Sequence, residues 1–186
     1  MRSNGVSPAP REVSVRRMER FSEIALHDES SIVRELGMDA ISSAGFPKET
    51  WPALCEIAEH EADESLRALA IRGLAGAGSE RAGEIYRAAF SSESEAIRAA
   101  AVSAHRDESP PPEAVGGDYT AYLVRELRAA STKAHRQAFL DRLLAVSPLT
   151  LLHEAERALR SATDRQASRQ YREAIERARE RIERRE

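Results

Sequence analysis

The stretch that decides the fold is VRELGMDAISSAG, Val33–Gly45, because it aligns without a gap on LRALAIRGLAGAG, Leu66–Gly78. Arg34 falls on Arg67, Leu36 on Leu69 and Ala44-Gly45 on Ala77-Gly78, at an offset of 33 residues. A third copy, IRAAAVSA from Ile97, sets Arg98 on Arg67 at an offset of 31. Each copy follows an acidic or serine-bearing turn: Asp28-Glu29-Ser30, Asp63-Glu64-Ser65 and Glu93-Ser94-Glu95. A unit of this length holding two helices is the signature of an α-solenoid, in which one short helix pair cannot bury its apolar stripe without neighbours.

Working outward, apolar spacing predicts helices along the chain. Residues 1–9 read as a flexible tail, and Pro10 opens a first helix with Val13, Met18, Phe21 and Ile24 on one side. Asp28 is the expected cap of a second helix whose inward stripe is Ile32, Val33, Leu36, Ala40, Ile41 and Ala44, ending at Gly45. Pro52 starts a third, with Leu54, Ile57 and Ala58 inward. Asp63, Ser79 and Ser92 or Ser94 cap the next three, the first of them stopping at Gly78. Residues 107–117 form a Pro/Gly loop in which no helix is expected. Beyond it Asp118, Thr132 and Ser147-Pro148 start helices, with Leu149, Leu152, Ala155 and Leu159 inward in the last of these. The segment from Asp164 carries a narrow seam through Tyr171, Ile175, Ala178 and Ile182.

Composition agrees with an all-α reading. Alanine occurs 32 times and aromatic residues make up only 5%, whereas sheets favour branched and aromatic side chains. Lys+Arg 28 against Asp+Glu 31 gives a net charge of −3, with 41% hydrophobic and 32% charged residues, so bulk charge does not announce nucleic acid. Only Lys48 and Lys133 are lysines, a skew that a GC-rich genome would produce. There is no apolar run of membrane-spanning length, the start MRSNGVSPAP has no apolar signal core, and Cys55 is the single cysteine. A cytoplasmic protein without membrane contact is the expectation, with no disulfide framework or Cys-based zinc site.

The repeated units resemble the HEAT-like repeat family. Asp63-Glu64-Ser65-Leu66-Arg67-Ala68-Leu69-Ala70 and Glu95-Ala96-Ile97-Arg98-Ala99-Ala100-Ala101 are similar to its first helix, and Trp51-Pro52-Ala53-Leu54 to its second. The resemblance is clearest over residues 28–106 and fades beyond the loop, where Leu123-Val124-Arg125 keeps only the apolar-arginine element. It implies a short right-handed stack of helix pairs over 10–186, a single domain with a degenerate or capping part at 118–186. It also implies second helices lining a concave side, and a role in binding other macromolecules. The repeated Arg34, Arg67 and Arg98 are expected to bond carbonyls or acidic groups of an adjoining repeat.

Chemistry-bearing motifs are sparse. No HExxH, GxSxG, P-loop or GxGxxG spacing occurs. Two pairs, His60-Glu61 and His153-Glu154, are similar to the metal-binding dipeptides of the HEAT-like deoxyhypusine hydroxylases, but they do not occupy equivalent repeat positions. A glycosylase-like basic groove is opposed by the acidic residues of the second helices, which would repel phosphate. No catalytic residue, cofactor or metal is expected.

The function that follows is a non-enzymatic protein-protein interaction module, an adaptor or assembly subunit of a larger complex. Trp51, Glu56, Glu59, Glu84 and Arg87 are the candidate partner-binding residues, with aromatic and Arg anchors and carboxylates that set specificity. Tyr171, Ile175, Ala178 and Ile182 are a second candidate interface, for a partner helix or for self-association. The alternative is nucleic-acid binding through Arg16, Arg17, Arg20 and the C-terminal helix, where ten arginines from Arg157 onward face six acids. Nucleic acid is the less expected partner, because no aromatic residues interleave there to stack bases.

Overall fold

In a computed structural model of the chain, residues 10–105, 110 and 112–184 are described, with side chains from residue 14 onward. The expected tail at 1–9, Val13's side chain, residues 106–109 and 111 of the Pro/Gly loop, and Arg185 and Glu186 lie outside the described residues. Among the described residues the protein is all-helical, with no strand. It forms two compact units, Met1–Ile85 and Tyr86–Glu186, and the division falls inside a helix rather than in the Pro/Gly loop.

The first unit contains α1 (Pro10–His27), α2 (Ser31–Ser43), a 3-10 turn (Lys48–Thr50), α3 (Trp51–His60), α4 (Glu64–Gly73) and the start of α5 (Glu80–Phe90). Helix α1 packs on α2 and α3, and α4 packs on the same two helices. Met38, Ile41, Leu54, Ile57, Ile71 and Leu74 are buried in this unit. Asp63 caps α4 as expected, accepting from the Ser65 and Leu66 N–H groups, and the Ser79 hydroxyl accepts from the Ala82 N–H.

Three local expectations are corrected here. The cap position of α2 belongs to Ser30, while Asp28 accepts the Ser30 N–H at 2.9 Å instead of capping the helix. Helix α4 ends at Gly73, not Gly78, and the chain turns through Gly76 at φ +86°, which glycine adopts without steric cost. The inward stripe of α2 is rotated from the expected one: Ile32 and Leu36 are 68% and 62% exposed, and Gly37, Met38 and Ile41 are buried. Gly37 explains the rotation. A Cβ there would stand 2.9 Å from the Ala25 backbone nitrogen and 3.1 Å from the Phe21 carbonyl oxygen, so α1 approaches α2 on the glycine side.

The second unit holds the rest of α5, then α6 (Glu95–Ala104), α7 (Pro112–Val115), α8 (Tyr119–Ala129), α9 (Lys133–Val146), α10 (Pro148–Ser161) and α11 (Arg165–Glu183). Helix α9 is central, packing on α6, α8, α10 and α11, and it buries Phe139, Leu140 and Leu143. Ser94, Asp118, Thr132 and Asp164 cap α6, α8, α9 and α11 through their side chains. The Pro/Gly stretch contains the short helix α7, which the proline run does not forbid because proline is tolerated in a first turn. Ser147 makes no capping bond, its hydroxyl pairing with Thr150 instead, and Leu149 is 56% exposed rather than inward.

One device recurs at residue level. Arg34, Arg67, Arg98 and Arg136 are each the fourth residue of their helix, in α2, α4, α6 and α9. Arg34 Nη1 donates to the Asp28 carbonyl at 2.9 Å, and its Nε and Nη2 donate to the Glu61 carboxylate at 2.9 and 3.1 Å. Arg98 repeats this with the Ser92 and Glu93 carbonyls at 2.7 and 2.8 Å and Glu126 at 2.7 Å. Arg136 reaches back to the Ala130 carbonyl at 3.5 Å and across to Gln170 Oε1 at 2.8 Å. The carbonyls belong to the turn leading into the arginine's own helix, and the carboxylate or amide lies 27 to 34 residues downstream. Arg67 departs from the pattern, its Nε buried without a hydrogen-bond partner among the described residues. Beyond the loop the equivalent arginine is therefore Arg136 and not Arg125, which stacks 5.1 Å from the Tyr122 ring centre.

Candidate functional site

The candidate partner-binding residues fall in both units. Trp51 opens α3, a proline following it in the first turn, and is half-buried with its indole Nε1 enclosed and without a hydrogen-bond partner among the described residues. Glu56 and Glu59 stand one turn apart on the exposed side of α3, opposite buried Leu54 and Ile57. Glu84 is exposed on α5. Arg87, also exposed on α5, belongs to the second unit.

The structure adds a residue to this group. Arg81, in the first turn of α5, donates from Nη2 to Glu56 at 2.9 Å and from Nε and Nη2 to Glu59 at 3.2 and 2.5 Å. Its hydrogen bond holds the Glu59 carboxyl below its ordinary range, and the two carboxylates in turn raise the guanidinium. Cys55 lies close enough to feel these charges, but burial dominates and pushes its thiol up, away from the thiolate that nucleophilic or metal chemistry needs. The pairing partner could have been sought in the acidic α3 face itself, since exposed carboxylates one turn apart invite a guanidinium, but which arginine supplies it depends on how the chain folds over the 22 to 25 residues that separate them.

His60 Nε2 lies 3.7 Å from Glu56 and from Glu59, and the three side chains bring ligand atoms within 4.8 Å of one another. That spacing suits a divalent cation, yet Arg81 already bonds both carboxylates and its positive charge would oppose a cation there. A cleft of about 260 Å³ adjoins them, lined by His27, Arg34, Glu56, His60 and Glu61. Burial pushes the Glu61 carboxyl up, but the Arg34 hydrogen bond and the Asp63 N–H outweigh it and hold the group below its ordinary range.

In the second unit, Glu95, Ser131 and His135 come together. Glu95 accepts from the Ser131 N–H and hydroxyl at 2.8 and 2.6 Å and lies 2.8 Å from His135 Nδ1. The order is wrong for nucleophilic catalysis, in which the imidazole must stand between hydroxyl and carboxylate. A larger cleft of about 370 Å³ is lined by Arg128, Glu154, Arg157, Asp164 and Tyr171, with Arg128 clamping Glu154 through bonds of 2.8 to 3.0 Å.

The second candidate interface is corrected. Tyr171, Ile175 and Ala178 are buried and Ile182 is half-buried, on the side of α11 that packs against α9 and α10. The chain's own packing covers most of the seam, leaving Tyr171 at the edge of the larger cleft and Ile182 partly exposed. Arginines on the outer side of α11 meet the chain's own carboxylates: Arg169 with Glu173 at 2.8 Å, Arg177 with Asp141 at 2.7 Å and Arg179 with Glu156 at 2.9 Å.

No described helix is long and apolar enough to cross a membrane. In comparisons with known proteins, no family model, no curated protein and no solved structure matches this chain.

Proposed function

We propose that the chain is a non-enzymatic protein-binding module built of HEAT-like helix pairs, an adaptor or assembly subunit that works in the cytoplasm and receives a protein partner on the acidic α3 face of its first unit. The observation that carries this reading is the Glu56–Arg81–Glu59 arrangement. Two exposed carboxylates are held in fixed positions by one guanidinium, which lowers the ordering cost of meeting a charged partner. Trp51, half-buried at the start of the same helix, is the aromatic candidate of this face. Such a face contributes chiefly to partner choice and encounter rate. The stacked helix-pair reading is supported by the repeated arginine of α2, α4, α6 and α9, a device that belongs to a repeating unit.

The test is affinity capture of the tagged chain from its native extract at roughly 50 and 200 mM salt, with and without nuclease. A stoichiometric protein that survives nuclease and the higher salt, and that is lost with Glu56→Lys/Glu59→Lys, supports the reading. Recovery of only nuclease-sensitive material overturns it.

A further inference from the structure

The exposed side of α2 points to a second surface. Ile32 and Leu36 are the two most exposed large apolar side chains among the described residues, and they stand one helical turn apart. At 3.6 residues per turn, Ile32, Leu36, Asp39 and Ser43 fall within about 60° of one another around the helix. The opposite side of α2 is already occupied, by α1 across Gly37 and by α4, with Met38 and Ile41 buried. A single exposed leucine is ordinary on a soluble protein. A helix with apolar residues on both sides is the pattern of one packed between neighbours, and in this unit only one side has them.

The charges around the pair select the neighbour. Exposed Glu35 and Asp39 border it along α2, and exposed Glu29 lies in the turn just before the helix. The one cation of α2, Arg34, is turned away onto Glu61. A second copy of this chain would set these acids against themselves, so self-pairing is disfavoured. We propose that α2 docks a cationic amphipathic helix of a partner protein, whose apolar residues at i and i+4 pack on Ile32 and Leu36 while lysines or arginines beside them meet Glu29, Glu35 and Asp39. This surface is independent of the α3 carboxylates and stands or falls apart from them.

The experiment places a photo-crosslinking residue at Ser43, on the same side of α2, in the full chain expressed in its native cell, and maps the adducts. The expected adduct is a segment of another protein with apolar residues at helical spacing and lysine or arginine flanking them. A synthetic peptide of that segment then binds the full chain, and Ile32→Ser/Leu36→Ser and Glu35→Lys/Asp39→Lys each weaken it at least tenfold. Both pairs are exposed, so unchanged circular dichroism and melting temperature separate lost docking from lost folding. The proposal is overturned by adducts to the chain's own residues, whether a second copy or residues 1–9. Adducts to an acidic segment, to nucleic acid or lipid, or no adduct at all overturn it too, as does a peptide that binds the Ile32→Ser/Leu36→Ser variant undiminished.

Discussion

An arginine at the fourth position of a helix can serve two ends at once, because its stem lies back toward the N-terminus. One arm ties down the carbonyls of the entering turn, and the other reaches a downstream carboxylate. Arg98 does this most completely, and its partner Glu126 is only 5% exposed. Removing the cation leaves a nearly buried carboxylate with only the exposed Arg125, whose Nε donates to it at 3.2 Å, so Arg98→Met should cost about 2 kcal/mol in urea unfolding, and adding Glu126→Leu should recover part of that loss. Arg67, whose Nε has no partner among the described residues, should lose less than half as much on the same substitution. Equal losses at the two sites would show that the ion pair is not what the position contributes. The repeat made this arginine legible in the sequence at Arg34, Arg67 and Arg98. Arg136 escaped because His135 precedes it in place of an apolar residue, and only the helix start at Lys133 reveals the shared register.

At the scale of the element, most caps were readable, Asp28 and Ser147 being the exceptions, and the inward side of α2 was not. Asp63, Ser79, Ser94, Asp118 and Thr132 work as their side chains promise, since a cap is decided within a few residues. The inward side of α2 was not readable, because its apolar residues lie on both sides and the choice rests on which side α1 can approach. Gly37 makes that choice testable. In an isolated helix Gly37→Ala would gain up to about 1 kcal/mol, but here the added carbon meets the Ala25 backbone nitrogen at 2.9 Å, which cannot swing aside as a side chain would. We expect net destabilisation of about 1–3 kcal/mol, read as a lower urea midpoint; a stabilised variant would refute the close approach. A second element-level device joins the start of α6 to the turn before α9. Burial pushes the Glu95 carboxyl up, but the Ser131 hydroxyl and N–H and His135 outweigh it and hold the group below its ordinary range. A carboxyl lowered in the folded state adds stability above its unfolded pKa and surrenders it as pH falls through the folded value. Between about pH 5 and pH 3 the wild type should therefore lose stability more steeply than Glu95→Gln. Parallel slopes would mean that Glu95 contributes nothing to the acid limb.

For the whole molecule, charge separates the protein-binding reading from the nucleic-acid one. The sequence makes α11 look like a cationic arm, because its arginines are adjacent on paper and their partners are distant in the chain. Folding brings those partners in: Asp141 and Glu156, from α9 and α10, meet Arg177 and Arg179 across the surface. A guanidinium that already holds a carboxylate can contact phosphate only by breaking that pair, and the net charge of −3 adds a long-range penalty. Each phosphate contact that does form adds close to one unit to the slope of log affinity against log salt. The full chain should therefore bind a fluorescent duplex weakly at about 50 mM salt, with a slope of no more than about −2, and not measurably at about 200 mM. Asp141→Asn/Glu156→Gln frees two arginines without adding any, so it should strengthen binding and steepen the slope by about two if the intramolecular pairs are what restrains the helix. Submicromolar binding by the wild type with a slope of −4 or steeper would instead make α11 a nucleic-acid interface, and the acidic face of α3 would lose its standing as the main site.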